Sequence, residues 1–328
     1  MMKPQLSLLL ALALALTATA RADETTLPET SSGWSKDAAN PVLGGAALGT
    51  CFDITMLQEE GRFRMWFSWR PRHAIGYTES ADGVHWSEPR VVLSPDERYP
   101  WEKDDLNRPA ILKKDGVYHL WYTAQAAGKS VICHATSPDG LQFTRTSGKP
   151  VMSAELPWEK VAVMCPHVEW DQAAKQFRMW YSGGEQYEPD AIGYATSLDG
   201  DAWTKHASNP IFAADPTQRW ESHKVTACQI VHHGDWWTMF YIGFENNDLA
   251  RIGIARSKDG ITGWQRLAGN PIIGPGRGKW DEIAVYKPFA IYDSTARLWR
   301  LWYNGRNNQF ERIGLALHPG EDLGFPAE

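Results

Sequence analysis

The chain has 328 residues, with 33 Lys and Arg against 39 Asp and Glu, and a formal charge of −6 at pH 7. It carries no basic run, which argues against a nucleic-acid partner, and its one long apolar stretch, Leu6–Leu16, is too short to span a bilayer. The 17 tryptophans are a heavy load, and most fall inside repeated segments, where packing explains them more simply than sugar stacking does.

In chain order, Lys3, the apolar run and Ala20-Arg21-Ala22 read as a secretory leader. Residues 1–22 are therefore set aside, and residues 23–328 are expected to form one soluble domain, secreted or periplasmic and free of the membrane after cleavage. It would be a monomer or an oligomer of unfixed size. Export permits disulfides, but Cys51, Cys133, Cys165 and Cys228 match no zinc spacing and read as small buried thiols.

The next segment, WSKDAANPVL at Trp34–Leu43, matches WTKHASNPIF at Trp203–Phe212 and WQRLAGNPII at Trp264–Ile273. A second block recurs as AIGYTESADGVHW (Ala74–Trp86), VICHATSPDGLQF (Val131–Phe143), AIGYATSLDGDAW (Ala191–Trp203) and RIGIARSKDGITGW (Arg251–Trp264), with a truncated copy, RIGLALHP, from Arg312. The isoleucines Ile75, Ile132, Ile192, Ile252 and Ile313 are spaced by 57, 60, 60 and 61 residues. A repeat of this length, built from short β-branched and aromatic runs with Asp-Gly turns, predicts a β-propeller. The second-strand run recurs as RFRMWFS, VYHLWYT, QFRMWYS, WTMFYIG and LWRLWYN, so the expected fold is an all-β, five-bladed propeller. The chain ends after the third strand of the last blade, and Trp34–Leu43 supplies the missing fourth strand, closing the ring.

The S-x-D-G element resembles the Asp-box of sialidases, and its four copies read as turn architecture. So do Trp101-Glu102, Trp158-Glu159, Trp220-Glu221 and Trp280-Asp281, one acidic pair before each of four inner strands. Function is expected where the copies disagree. Asp53, Asp104, Asp105, Arg108, His167, His223, Lys224 and Lys287 stand at such positions and are expected to converge on an axial pocket. The loops between second and third strands add Arg70, Glu185, Glu188, Glu245 and Arg306. The cations among these either hold an anionic sugar, such as a uronic acid or a sulfated sugar, or pair with the acids and tune them.

With these residues, the chain resembles the five-bladed propeller glycoside hydrolases, among them the family 43 arabinanases and β-xylosidases and the family 32 invertases. Met164-Cys165-Pro166-His167 looks like the E-C-P or E-A-P-H segment of those families. The resemblance implies hydrolysis of a glycosidic bond by paired carboxylates. The family's acid would fall at Met164, its first-blade aspartate at Cys51 and the family 43 second-blade aspartate at Ala110, while the R-D-P of family 32 reads Asn107-Arg108-Pro109. The expectation is therefore a glycosidase with relocated acids: Asp53 and Asp105 as leading carboxylates, and Glu185, His167 or His223 as proton donor. A non-catalytic carbohydrate-binding propeller, or a lyase or phosphorylase, are the alternatives. The expected partner is a carbohydrate, with no catalytic cofactor; a structural calcium ion in the central channel is left open.

Overall fold

Short runs of β-branched and aromatic residues, cut by Gly and Asp turns, fold into antiparallel meanders. The computed structural model describes residues 27–187 and 189–327; the leader and Glu188 lie outside the described residues. A two-residue strand, β1 (Ser35–Lys36), precedes the first unit: β2 (Cys51–Glu59), β3 (Arg62–Trp69), β4 (Ala74–Ser80) and β5 (Arg90–Leu93). The second unit has β6 (Asp105–Lys114), β7 (Val117–Ala126), β8 (Lys129–Ser137) and β9 (Thr144–Arg145). The third has β10 (Ala162–Asp171), β11 (Gln176–Gly184), β12 (Pro189–Ser197), β13 (Thr204–Lys205) and β14 (Phe212–Ala213). The fourth has β15 (Lys224–His233), β16 (Trp236–Phe244), β17 (Ala250–Ser257) and β18 (Gln265–Arg266), and the last has β19 (Ala284–Asp293), β20 (Leu298–Arg306) and β21 (Glu311–Pro319).

The leading strands pack in succession, β2 on β6, β6 on β10, β10 on β15 and β15 on β19, and β19 packs in turn on β2. At the far end of the last unit, β1 pairs with β21 through Ser35 and Leu317, and Leu43 bridges Ile313. The Asn of the N-P motif joins these edges. Asn40 accepts the Leu315 N–H (2.7 Å) and donates to the Leu315 carbonyl (2.8 Å), as Asn209 does with Tyr194 and Asn270 with Ile254. The N-terminal segment thus completes the last unit with the same contacts used elsewhere.

The acids that follow Trp are fully buried and structural. Glu102 binds Arg145 (2.6 Å), Glu159 binds Lys205 (2.7 Å), Glu221 binds Arg266 (2.6 Å) and Asp281 binds Lys36 (2.6 Å), each cation coming from the short outer strand. Tyrosines of the second strands, Tyr122, Tyr181 and Tyr303, donate to Glu102, Glu159 and Asp281. Burial pushes the Glu159 carboxyl up, but the N–H groups of Glu155 and Leu156, with Lys205 and Tyr181, outweigh it and hold the carboxyl below its usual range.

The S-x-D-G element is also a joint. Ser80, Ser137, Ser197 and Ser257 donate to the aspartate two residues on, which accepts two further backbone N–H groups. The glycine carbonyl then accepts an indole N–H from the neighbouring unit: Trp66 to Gly140, Trp121 to Gly200, Trp180 to Gly260 and Trp302 to Gly83, all within 2.9 Å. The fourth unit has Phe240 at this position, and the last unit has no S-x-D-G turn to receive a donor. The donor and its acceptor are missing together. Trp180→Phe leaves the buried Gly260 carbonyl unpaired, and urea unfolding should show a loss of about 1–3 kcal/mol.

Candidate functional site

Each leading strand carries a bulge near its start, where register slips against the second strand between Phe52/Thr55, Asn107/Ala110, Met164/His167, Thr226/Cys228 and Tyr286/Phe289. One residue in each bulge adopts the left-handed region: Asp53, Arg108, Cys165, Ala227 and Lys287, with φ between 39° and 54°. Non-glycine residues adopt that conformation rarely, and four of these five side chains, all but Lys287, line one cavity. Side chains of the preceding unit hold three of these bulges: Ser68 accepts the Arg108 N–H, Thr123 that of Cys165 and Ser182 that of Ala227.

The bulges correct the sequence alignment at one place. Asp53, not Cys51, is the structural counterpart of Arg108, Cys165 and Lys287. The first leading strand has Ile54 after its bulge where the second, third and last have Pro109, Pro166 and Pro288, so the proline that sets the register elsewhere is missing there. The first-blade aspartate of the resembled families therefore has a counterpart in this chain.

Asp53, Arg108 and Cys165 line a cavity of about 170 Å³, closed on its other sides by Phe52, Tyr286, Ile242, Phe244 and neighbouring residues. It opens into a wider outer cavity of about 660 Å³, and Arg70, Asp248, Arg306 and Glu311 line both. Asp53 is buried, with Oδ2 lacking a hydrogen bond and lying 3.6 Å from Arg108 Nε. Burial raises its carboxyl pKa; Arg108 and then Lys287 pull the other way, while Glu311 adds to the rise. Glu311, at the start of β21, accepts a hydrogen bond from the Tyr286 phenol and is 3.2 Å from Arg70 Nη2. Burial, and then the negative charge of Glu311, push that phenol well above its ordinary range. Three carboxylates thus border one small cavity: buried Asp53, and Asp248 and Glu311, which also line the outer one.

The other sequence candidates divide by place. Asp105 is buried behind the cavity wall, takes a hydrogen bond from Asn107 (3.2 Å) and lies 3.9 Å from His73; burial raises its carboxyl pKa. Asp104 is exposed and accepts the Ala127 N–H (3.0 Å). Glu185 sits on an exposed loop, 3.3 Å from Lys224 and 3.5 Å from Lys160, and these lysines hold it below the usual carboxylate range. Lys224 is buried and also approaches Asp190 (3.6 Å). His223 is exposed and bonds Asn247 (2.8 Å). Glu245 lies between Arg219 (2.8 Å) and Arg251 (2.9 Å) and is tied up in that network. Lys287 is buried beside Asp53, and Arg306 approaches Asp248 (3.5 Å).

His167 does not share the Asp53 cavity. Register carries it past the Cys165 bulge to the opposite end of the leading strands, where it lines a separate recess with Thr55, Gln229 and Phe289. It therefore cannot protonate a group bound at Asp53. Among the described residues no group of three or more His, Cys, Asp and Glu is placed to hold a metal ion.

Sequence reasoning missed Glu311 and Tyr286. Glu311 stands two residues before Ile313, where the other copies have His73, Ser130, Asp190 and Ala250. A truncated copy that begins at Arg312 stops one residue short of it. Extending the copy by one position exposes the acid.

An all-β repeat of four-stranded units around a small charged cavity has the architecture of a propeller. Consistent with this, the glycosyl hydrolases family 32 N-terminal domain matches residues 55–242, more than half of the chain. The chain belongs to that family. An uncharacterized protein of Mycobacterium tuberculosis is 32% identical over 140 residues, covering 39% of this chain and 44% of the relative, so the match spans less than half of that protein's length. A β-1,2-mannobiose phosphorylase of a Thermoanaerobacter species is 24% identical over 226 residues, covering 51% of this chain and 74% of the relative. The crystal structure of a thermostable family-43 glycoside hydrolase superposes with a TM-score of 0.66 at 17% identity, covering 88% of this chain and 97% of that one, which is likeness of fold.

Proposed function

We propose that this protein cleaves a glycosidic bond at the throat between the inner and outer cavities, with Asp53 and Glu311 as the carboxylate pair. The single observation that carries the reading is that Glu311, 19% exposed against 85% for Asp248, lines both cavities while the buried Asp53 lines only the inner one. A sugar ring in the inner space would put its anomeric carbon near Asp53 and its glycosidic oxygen near Glu311. Asp53, next to Arg108 and Lys287, serves as base or nucleophile; Glu311 protonates the departing oxygen, which leaves through the outer cavity. The inner cavity has room for one ring, so the action is exo. Behind this site we infer a ring of five blades, closed by Trp34–Leu43, in a protein exported by its N-terminal leader.

The phosphorylase relative favours a second reading, in which phosphate replaces water as the attacking group and Arg108 and Lys287 help to hold it. One experiment separates the two. Purified protein is incubated with a panel of oligosaccharides and aryl glycosides, with and without inorganic phosphate. Hydrolysis predicts free sugar in phosphate-free buffer; sugar phosphate formed only when phosphate is added establishes phosphorolysis. No turnover in either buffer across the panel would leave a binding propeller as the better account.

A further inference from the structure

The wall of the inner cavity formed by the fourth unit departs from the repeat at several positions together. Strand register makes Ile242, opposite Ile252, the counterpart of Ser68, Thr123, Ser182 and Asn304, each opposite the corresponding repeat isoleucine. Two residues further on, Phe244 stands where the other units have Arg70, Gln125, Gly184 and Arg306. Ala250 stands where they have His73, Ser130, Asp190 and Glu311, and Ala227 is the only bulge residue that is neither charged nor a thiol. All four line the cavity. The fold tolerates polar groups at these positions in the other units, so packing does not require apolar ones here. Within this wall the Thr226 hydroxyl is buried, lines the cavity and has no hydrogen-bond partner.

The cavity is thus two-faced, with Asp53, Arg108 and Glu311 on one side and Ile242, Phe244 and Ala250 on the other; Thr226 is the buried polar side chain of that apolar wall, and exposed Asn247 and Asp248 also line the cavity. A ring hydroxyl set on Ile242, Phe244 and Ala250, away from Thr226, would be buried against hydrocarbon without a partner, an unfavourable arrangement. We propose that the sugar held here is a 6-deoxyhexose, its methyl group packed on Ile242, Phe244 and Ala250 while its hydroxyls face the charged side. The inference rests on the reading that the inner cavity takes a sugar ring.

The test pairs each of three 6-deoxy sugars with its hydroxymethyl counterpart: L-fucose with L-galactose, L-rhamnose with L-mannose, and D-fucose with D-galactose. Calorimetric or NMR titration of the whole protein should show at least one deoxy sugar binding about 10- to 100-fold more tightly than its partner, the discrimination an apolar pocket provides for one small group. Ile242→Thr and Ala250→Ser, which restore side chains of the kind found in other units, should narrow that ratio. A correctly folded variant of either kind is enough to read it. Equal binding within every pair, tighter binding of the hydroxymethyl sugars, or no binding by any of the six overturns the proposal. Turnover of the matching aryl glycosides, measured in parallel, keeps the two ideas apart. Cleavage without deoxy preference sinks this inference and leaves the proposed function standing. Deoxy-selective binding without cleavage does the reverse.

Discussion

Replacing Asp53 with Asn should lower kcat/KM by about 1,000-fold or more, because the group facing the anomeric carbon can then neither attack nor activate water. Burial raises the Asp53 carboxyl, against the pull of Arg108 and Lys287. A base works only when ionised, so the acid limb of the parent's kcat/KM profile should lie above the ordinary aspartate range of about pH 4. The same shift has a stability consequence of opposite sign to that of a salt-bridged carboxylate. The folded chain holds this proton more tightly than the unfolded chain, so protonated Asp53 stabilises the fold at low pH. That contribution is lost as pH rises from the ordinary aspartate value through the raised one. Asn cannot ionise. The melting temperature of Asp53→Asn relative to the parent should therefore climb across that window and stay high at neutral pH. A variant less stable than the parent at neutral pH would mean that Asp53 serves chiefly as counter-ion to Arg108 and Lys287, and would remove it from the chemistry.

The contrast between Asp53 and Glu311 shows how much of the site the sequence exposes. The repeat places strands by hydrophobic period and turns by Asp-Gly, and both are local properties, so the strand order and the scaffold role of Glu102, Glu159, Glu221 and Asp281 can be read from spacing alone. Bulges are not local in that sense. One extra residue shifts every side chain after it to the other face, and in the first leading strand no proline marks where this happens. That is why Asp53 stands out as a candidate while its equivalence to Arg108 and Cys165 does not. His167 shows the same limit: only Pro166 separates it from Cys165, yet the bulge and the strand beyond carry it to the opposite recess. Asp105 and Glu185 do break the symmetry of the repeat, but a residue's distance from the axis depends on loop path. No spacing rule gives that path.

Glu311 carries the second large expected effect. Glu311→Gln keeps an oxygen that can accept from Tyr286 but removes the transferable proton, so substrates with poor leaving groups should lose about 100- to 10,000-fold in kcat/KM. Aryl glycosides whose phenols leave readily need little protonation and should lose far less. The ratio of the two losses is the decisive quantity, since a merely structural defect would depress both alike. The acid limb of the pH profile, set by Asp53, should stay in place in the variant. The salt bridge to Arg70 also goes, but Arg70 is half exposed (51%), and an ion pair of that kind contributes no more than about 1 kcal/mol. The variant should therefore unfold close to the parent. Equal losses on both substrate classes would move the proton donor away from Glu311 and toward Asp248, the other carboxylate that lines both cavities.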